Sequence, residues 1–163
     1  MQIRGIKLSL EIMLIIFVFF SVKTYLQRDL VQGAAPSVQA RSLDGQAINL
    51  QSLSDKPVLL YFWATWCPVC KMQQGTIASI SKDHTVISVA MDSGSGQEIT
   101  SYLQENKLGF PVIADVDGTI AHRYGVSGVP TSFVIDRNNN IAFTEVGYTT
   151  EWGLRFRLWM AGK

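Results

Sequence analysis

Two apolar runs frame the chain. Val58–Ala64, "VLLYFWA", is apolar at every position over one strand's length, the pattern of a central strand covered on both faces. Val86–Met91 predicts a second buried strand. Between them, Pro68 opens a predicted helix running to about Ser81, because the first helical turn does not need the N–H that proline lacks. Glu98–Asn106 reads as a helix with Ile99, Tyr102 and Leu103 on one face. Pro111–Ala114 predicts a short strand and Thr119–Tyr124 a short helix. Thr131–Ile135 and Ile141–Val146 read as strands around the turn "DRNNN". Glu151–Met160 is a closing helix, with Trp152, Phe156 and Trp159 available for the core. Upstream, Val38–Arg41 and Gln46–Leu50 flank Asp44–Gly45, a hairpin signal, and Ser52–Pro57 reads as a turn or helical bend. Strands alternate with helices and an antiparallel pair comes late. The expectation is an α/β fold with a mixed central sheet covered by helices on both faces.

The first segment has a different pattern. Ile12–Val22, "IMLIIFVFFSV", runs eleven residues without a charge. Widened to Ile6–Leu26, it gives about 30 Å of helix at ~1.5 Å per residue, the thickness of a bilayer core. Lys7 and Lys23 lie near its ends and can snorkel, whereas Glu11 is less comfortable. A cleaved signal peptide starting at Arg4 and Lys7 is the competing reading, but "VQA" at Val38–Ala40 lies too far beyond the apolar run for a cleavage site. The expectation is an uncleaved membrane anchor over residues 1–26, a linker over 27–36 and a folded domain over 37–163. Arg4 and Lys7 against Lys23 and Arg28 leave the orientation open.

Length and charge narrow the function. A chain of 163 residues suits one domain with a proper core. A net charge of +1 with no basic block gives nucleic-acid binding no support. The two cysteines are too few for a disulfide scaffold, and too few for a four-ligand zinc site unless His84 and His122 both join. A lone Cys-x-x-Cys is better read as a redox pair, and no metal site is expected.

The chemistry then follows from position. Cys67 falls where strand gives way to helix, beside the unpaired N–H groups of the first turn, which favour a thiolate. Cys70 lies one turn on, on the same face, placed to attack a mixed disulfide at Cys67. Pro68 and Val69 between them are uncharged and tune the potential, ~30 mV corresponding to ~1.4 kcal/mol. A pair of buried inert cysteines is the bland alternative, and it loses weight because strand, "W-C-P-x-C" and helix come in that order. In "GVSGVPTSFVID", Gly125–Asp136, Pro130 precedes a strand. A cis bond there would expose the Val129 backbone to an extended substrate peptide. An ordinary strand-starting proline is the alternative.

Together these segments resemble the thioredoxin superfamily, and more closely its membrane-anchored TlpA-like and ResA-like thiol–disulfide oxidoreductases. "FWATWCPVC" is similar to their active-site stretch, and "GVSGVPTSFVID" to their proline loop. "SLDGQAINLQSLSDKPVLLYFWA" resembles their hairpin and first core strand, and "FPVIADVDGTIAHRYGV" the segment before the proline loop. The Cys-Pro-Val-Cys pair also resembles the suppressor-of-copper-sensitivity protein D group. The resemblance covers roughly Ala35 to the C-terminus. It implies a thioredoxin-like sheet, with Cys67 as nucleophile, Cys70 as resolving thiol and Pro130 in cis. It also implies a single-pass protein of the bacterial inner membrane whose domain faces the periplasm, acting on cysteine-containing extracytoplasmic proteins. Electrons would come from a membrane donor of thiol-reductase type, and no cofactor is implied beyond the Cys67–Cys70 disulfide. Trp66, Pro68, Val129 and Pro130 are the candidate substrate surface, and the family favours the reductase direction. A cytochrome c maturation thioredoxin and a non-enzymatic copper- or metal-binding thiol protein are the alternatives.

Two positions depart from the family pattern. Tyr61 stands where thioredoxin has a buried Asp, and Gln73 where many cytochrome-maturation members have a Glu. Gln73 can hydrogen-bond but cannot titrate. Trp63 reads as core or as substrate surface, and Trp66 as the more exposed of the two. His84, His122, Asp92 and Asp115 read as solvated surface or turn residues. "DSGSGQ", Asp92–Gln97, lacks the ending of a phosphate loop and reads as a flexible connection. Ala64 replaces the Thr that a peroxidase carries three residues before its reactive cysteine.

Overall fold

The predicted central strand forms as Val58–Trp63 (β4), with all six residues buried, in a computed structural model that describes residues 2–53 and 57–163. Its neighbours account for that burial. On one side β4 runs parallel to Thr85–Met91 (β5), which runs parallel to Val112–Asp115 (β6). On the other it runs antiparallel to Thr131–Ile135 (β7), which pairs antiparallel with Asn140–Val146 (β8). Gly33–Ala34 (β1) closes the β8 edge, giving the order β1-β8-β7-β4-β5-β6. The parallel crossovers are Pro68–Ile80 (α2) and Gly96–Glu105 (α3). Thr119–Arg123 (α4) leads toward β7, and Glu151–Ala161 (α5) ends the chain.

Side-chain alternation along β4 splits the interior in two. Val58, Leu60 and Phe62 pack with Ile87, Val89, Tyr124 and Phe133. Leu59, Tyr61 and Trp63 face the opposite way, toward both cysteines, Ile77, Ile80, Leu154 and Leu158. The predicted hairpin forms as a separate pair, Gln39–Arg41 (β2) with Ala47–Asn49 (β3), turning at Gly45 with φ of 91°. Leu50–Ser52 is a 3₁₀ turn, and the rest of the bend expected over Ser52–Pro57 includes residues 54–56, outside the described residues.

The N-terminal expectation is corrected. A helix forms over Gln2–Gln27 (α1), but among the described residues no helix is long and apolar enough to cross a membrane. The physical reason is the short uncharged run. Eleven residues from Ile12 to Val22 reach only about 16 Å at ~1.5 Å per residue, about half a bilayer core. Extending it takes in Glu11 and Lys23. The transmembrane helix, the single-pass anchor and the inner-membrane placement built on them are withdrawn.

Residues 27–36, expected as a linker, lie against the domain. Gln27 Nε2 donates to the Thr144 carbonyl at 2.8 Å, Val31 N–H donates to the Tyr124 carbonyl at 3.1 Å, and Leu30 and Ala35 are buried. The closing helix buries a different face from the one expected. Leu154 and Leu158 fill the core, while Trp152, Phe156 and Trp159 are 85%, 58% and 56% exposed. The two stripes share the i, i+4 helical spacing, and the leucine stripe is the one turned to the sheet.

Candidate redox site

The site begins at the C-terminal end of β4. Cys67 is the N-cap of α2 and Pro68 opens the helix. The Cys70 N–H, one of the first-turn donors without a helical partner, donates to Cys67 Sγ at 3.2 Å. The Cys67 thiol donates to the Val129 carbonyl at 3.5 Å. The Val129–Pro130 bond is cis, and β7 follows it directly beside β4. Strand pairing thus brings together residues 62 positions apart. The cysteines are not bonded to each other. Cys67 keeps 4% of its surface accessible and Cys70 none. Burial first, then the neighbouring Cys67, pushes the Cys70 thiol up to about 12.

The surface around Cys67 is apolar. Trp66 is 60% exposed, Val69 37% and Met72 71%. Trp66 is fixed by its indole N–H, which donates to the Asp92 carbonyl at 2.7 Å. Trp63 is core: it is fully buried, donates to Ser88 Oγ at 3.2 Å, and packs against Tyr102 and Phe110.

Behind the cysteines lie two buried polar groups. Among the described residues, neither Tyr61 Oη nor Gln73 Nε2 makes a hydrogen bond of full geometry, although Tyr61 lies within reach of the Cys70 sulfur. Gln73 is held through its other atom, Oε1, which accepts from Thr149 N–H at 3.3 Å. Burial pushes the Tyr61 phenol well above its ordinary range.

Three supports were not read from the sequence. Ser93 Oγ accepts from Thr65 N–H at 3.0 Å and donates to the Met91 carbonyl at 2.9 Å, tying the β5–α3 connection to the cysteine loop. Ser95 and Glu98 then close a reciprocal cap on α3, a Ser-x-x-Glu signature that was present to be found. Asp115, expected in a solvated turn, is buried and accepts from Ile120 and Ala121 N–H at 2.9 and 2.8 Å. His84 lies 3.9 Å from Asp83, and His122 is exposed. Among the described residues, no three of His, Cys, Asp and Glu converge on a metal position.

Residues 31–144 match the AhpC/TSA family. A thioredoxin-like protein of Haemophilus influenzae is 32% identical over 158 residues, spanning 96% of this chain and 94% of that protein. The thiol–disulfide oxidoreductase ResA of Bacillus thuringiensis is 30% identical over 137 residues, 82% of this chain and 78% of that protein. The chain belongs to the thioredoxin superfamily, among the ResA-like thiol–disulfide oxidoreductases. The solved structure of a thioredoxin-family thiol:disulfide interchange protein from Chlorobium tepidum agrees, with a TM-score of 0.70, 25% identity, and coverage of 82% of this chain and 98% of that one. As a thioredoxin-like oxidoreductase, the protein is an enzyme whose reactive element is its Cys-x-x-Cys pair. Within the AhpC/TSA match, the position three residues before Cys67 holds the buried methyl of Ala64, which supplies no hydroxyl.

Proposed function

We propose that this oxidoreductase reduces disulfides in cysteine-containing proteins, with Cys67 as nucleophile and Cys70 as resolving thiol. The observation that carries the reading is the position of Cys67 Sγ, between the Cys70 N–H at the α2 N-terminus and the Val129 carbonyl of the cis-proline loop. The Cys67 thiolate attacks one sulfur of the substrate disulfide. A mixed disulfide forms, and the first substrate thiolate leaves and takes up a proton. Cys70 then loses its proton and attacks Cys67 Sγ. The Cys67–Cys70 bond forms, the mixed disulfide breaks, and the second substrate thiol departs. Two electrons have passed from the dithiol to the substrate.

Trp66, Pro68, Val129 and Pro130 form the substrate surface in this reading. An extended peptide would pair with the Val129 backbone while resting on the Trp66 face. The working unit is residues 37–163, with 27–36 laid along its β8 edge. A donor of thiol-reductase type, itself in the membrane, would return the electrons, as the family resemblance suggests.

Cys70→Ser tests the reading. It should accumulate mixed disulfides between Cys67 and partner proteins, visible as thiol-sensitive bands on a non-reducing gel and absent from the Cys67→Ser, Cys70→Ser double variant. Absence of those bands, with tight copper binding by the wild-type dithiol, would favour the metal-binding alternative. A steady-state pool of disulfide rather than dithiol in cells would reverse the assigned direction. Covalent haem-protein precursors among the trapped partners would select the cytochrome c maturation role.

A further inference from the structure

The exchange leaves one requirement unmet. Cys70 must carry negative charge while it attacks, or while it leaves in the reverse reaction, at a position with no accessible surface. A thiolate without a donor there is costly. β4 turns Tyr61 toward the cysteine side of the sheet, into the cluster that holds Cys67 and Cys70, and its hydroxyl lies within reach of the Cys70 sulfur but, among the described residues, makes no hydrogen bond of full geometry while both thiols are present. An unsatisfied buried hydroxyl carries a cost of its own, and it is offset if a partner forms during turnover.

We propose that Tyr61 is a positioning residue for Cys70: its hydroxyl donates a hydrogen bond to the Cys70 sulfur whenever that sulfur is a thiolate. This rests on the disulfide-exchange function proposed above. The titratable groups facing the pair are few. Cys67 caps α2 and Tyr102 lies on α3, with Lys71 Nζ 5.9 Å over the Tyr102 ring, while α5 contributes the apolar Leu154 and Leu158. Burial and Cys67 raise the Cys70 pKa; the Ala64 backbone and Tyr61 pull it down. Burial, followed by Cys70 itself, raises the Tyr61 phenol. Tyr61 therefore keeps its proton throughout and serves as a donor, not as a base. In the attack, the Cys70 proton goes to solvent, the Tyr61 O–H turns to the thiolate, and that bond is released once the Cys67–Cys70 disulfide forms. In the reverse reaction, an incoming thiolate at Cys67 expels Cys70 onto the same donor.

Tyr61→Phe removes the hydroxyl and keeps the ring. The probe is dithiobis(nitrobenzoate), added to the reduced full-length protein in a stopped-flow instrument from pH 6 to 9. The first thionitrobenzoate released reports attack by Cys67, and the second reports attack by Cys70 on the mixed disulfide. Losing the donor should raise the Cys70 pKa by about one unit, leaving about tenfold less thiolate. Higher basicity returns about threefold in nucleophilicity at a Brønsted β of ~0.4–0.5, so the second phase should slow about three- to fourfold at each pH. The first phase should stay within about twofold, and the reduced variant should melt no lower than wild type, since the hydroxyl it lacks was unpaired. Equal second-phase rates across the pH range would overturn the assignment while leaving the exchange function intact. Equal slowing of both phases would also overturn it, because it would mark a general packing defect. If wild type releases no thionitrobenzoate, the exchange function and this assignment fail together.

Discussion

Asp115→Ala would test how α4 is held. The Asp115 carboxylate ends β6 and reaches back over the start of α4, accepting from Ile120 and Ala121 N–H while only 3% exposed. Gly118, at the N-cap position, makes no side-chain capping bond, so Asp115 takes over from a distance. Alanine leaves two amides without their acceptor in a site closed to water. Each orphaned donor costs about 1–3 kcal/mol, and an ordinary N-cap loss costs about 0.5–2 kcal/mol. Because the two bonds share one carboxylate they will not add fully, and about 3 kcal/mol is expected. Asp115→Asn, which keeps one acceptor oxygen, should cost about half that. With a urea slope of ~2 kcal/mol per M, the alanine variant should move the unfolding midpoint down by about 1.5 M. Equilibrium urea unfolding followed by tryptophan fluorescence measures this directly. A shift under about 0.5 M would mean that water reaches those amides, and the buried-cap reasoning would fail.

Two further outcomes follow from the same packing. Cys70 holds its proton up to about pH 12 in the folded reduced protein, whereas an unfolded cysteine releases it near ~8.5. Between those values the unfolded chain has lost a proton that the folded chain keeps, so the reduced form must lose stability as pH rises. After a discount for solvent screening, about 1 kcal/mol should be lost between pH 8 and 10 relative to the oxidised form; parallel unfolding curves for the two redox states would contradict this. In α5, Leu158→Ala should cost about 2–5 kcal/mol by opening the core, whereas Trp152→Ala, on a residue 85% exposed, should stay within about 0.5 kcal/mol; thermal melts of the pair decide whether the leucine stripe is the buried one.

The parts of this fold legible in the sequence are those where one local signal dominates. The unbroken apolar run of β4, Pro68 at a helix start and the Asp44–Gly45 turn each admit few alternatives. The juxtaposition of Cys67 with Val129 was suggested by the resemblance of "FWATWCPVC" and "GVSGVPTSFVID" to a known family, because the proline segment alone reads as an ordinary strand start. Where two signals competed, tertiary context chose. In α5 two apolar stripes had the same helical spacing, and the bulkier one is outside. Asp115 looked like a turn residue because its acceptor role spans five and six positions to Ile120 and Ala121. Asp92 contributes through its backbone carbonyl to Trp66, to which side-chain chemistry gives no clue. At the N-terminus, an apolar composition suggested a span that the length of the uncharged run does not supply.

The two-sided packing of β4 has a practical corollary for anyone engineering the protein. Odd-numbered residues from Leu59 to Trp63 border the sulfurs, and even-numbered ones from Val58 to Phe62 border a separate interior on the far side of the sheet. Thermostability and redox behaviour are therefore addressable through different letters of one six-residue word. Repacking at Leu60 or Phe62 should adjust robustness and reach the thiol chemistry only through Val129, which packs against both interiors. A single-residue insertion in the strand would exchange the two sets and put Tyr61 out of reach of Cys70.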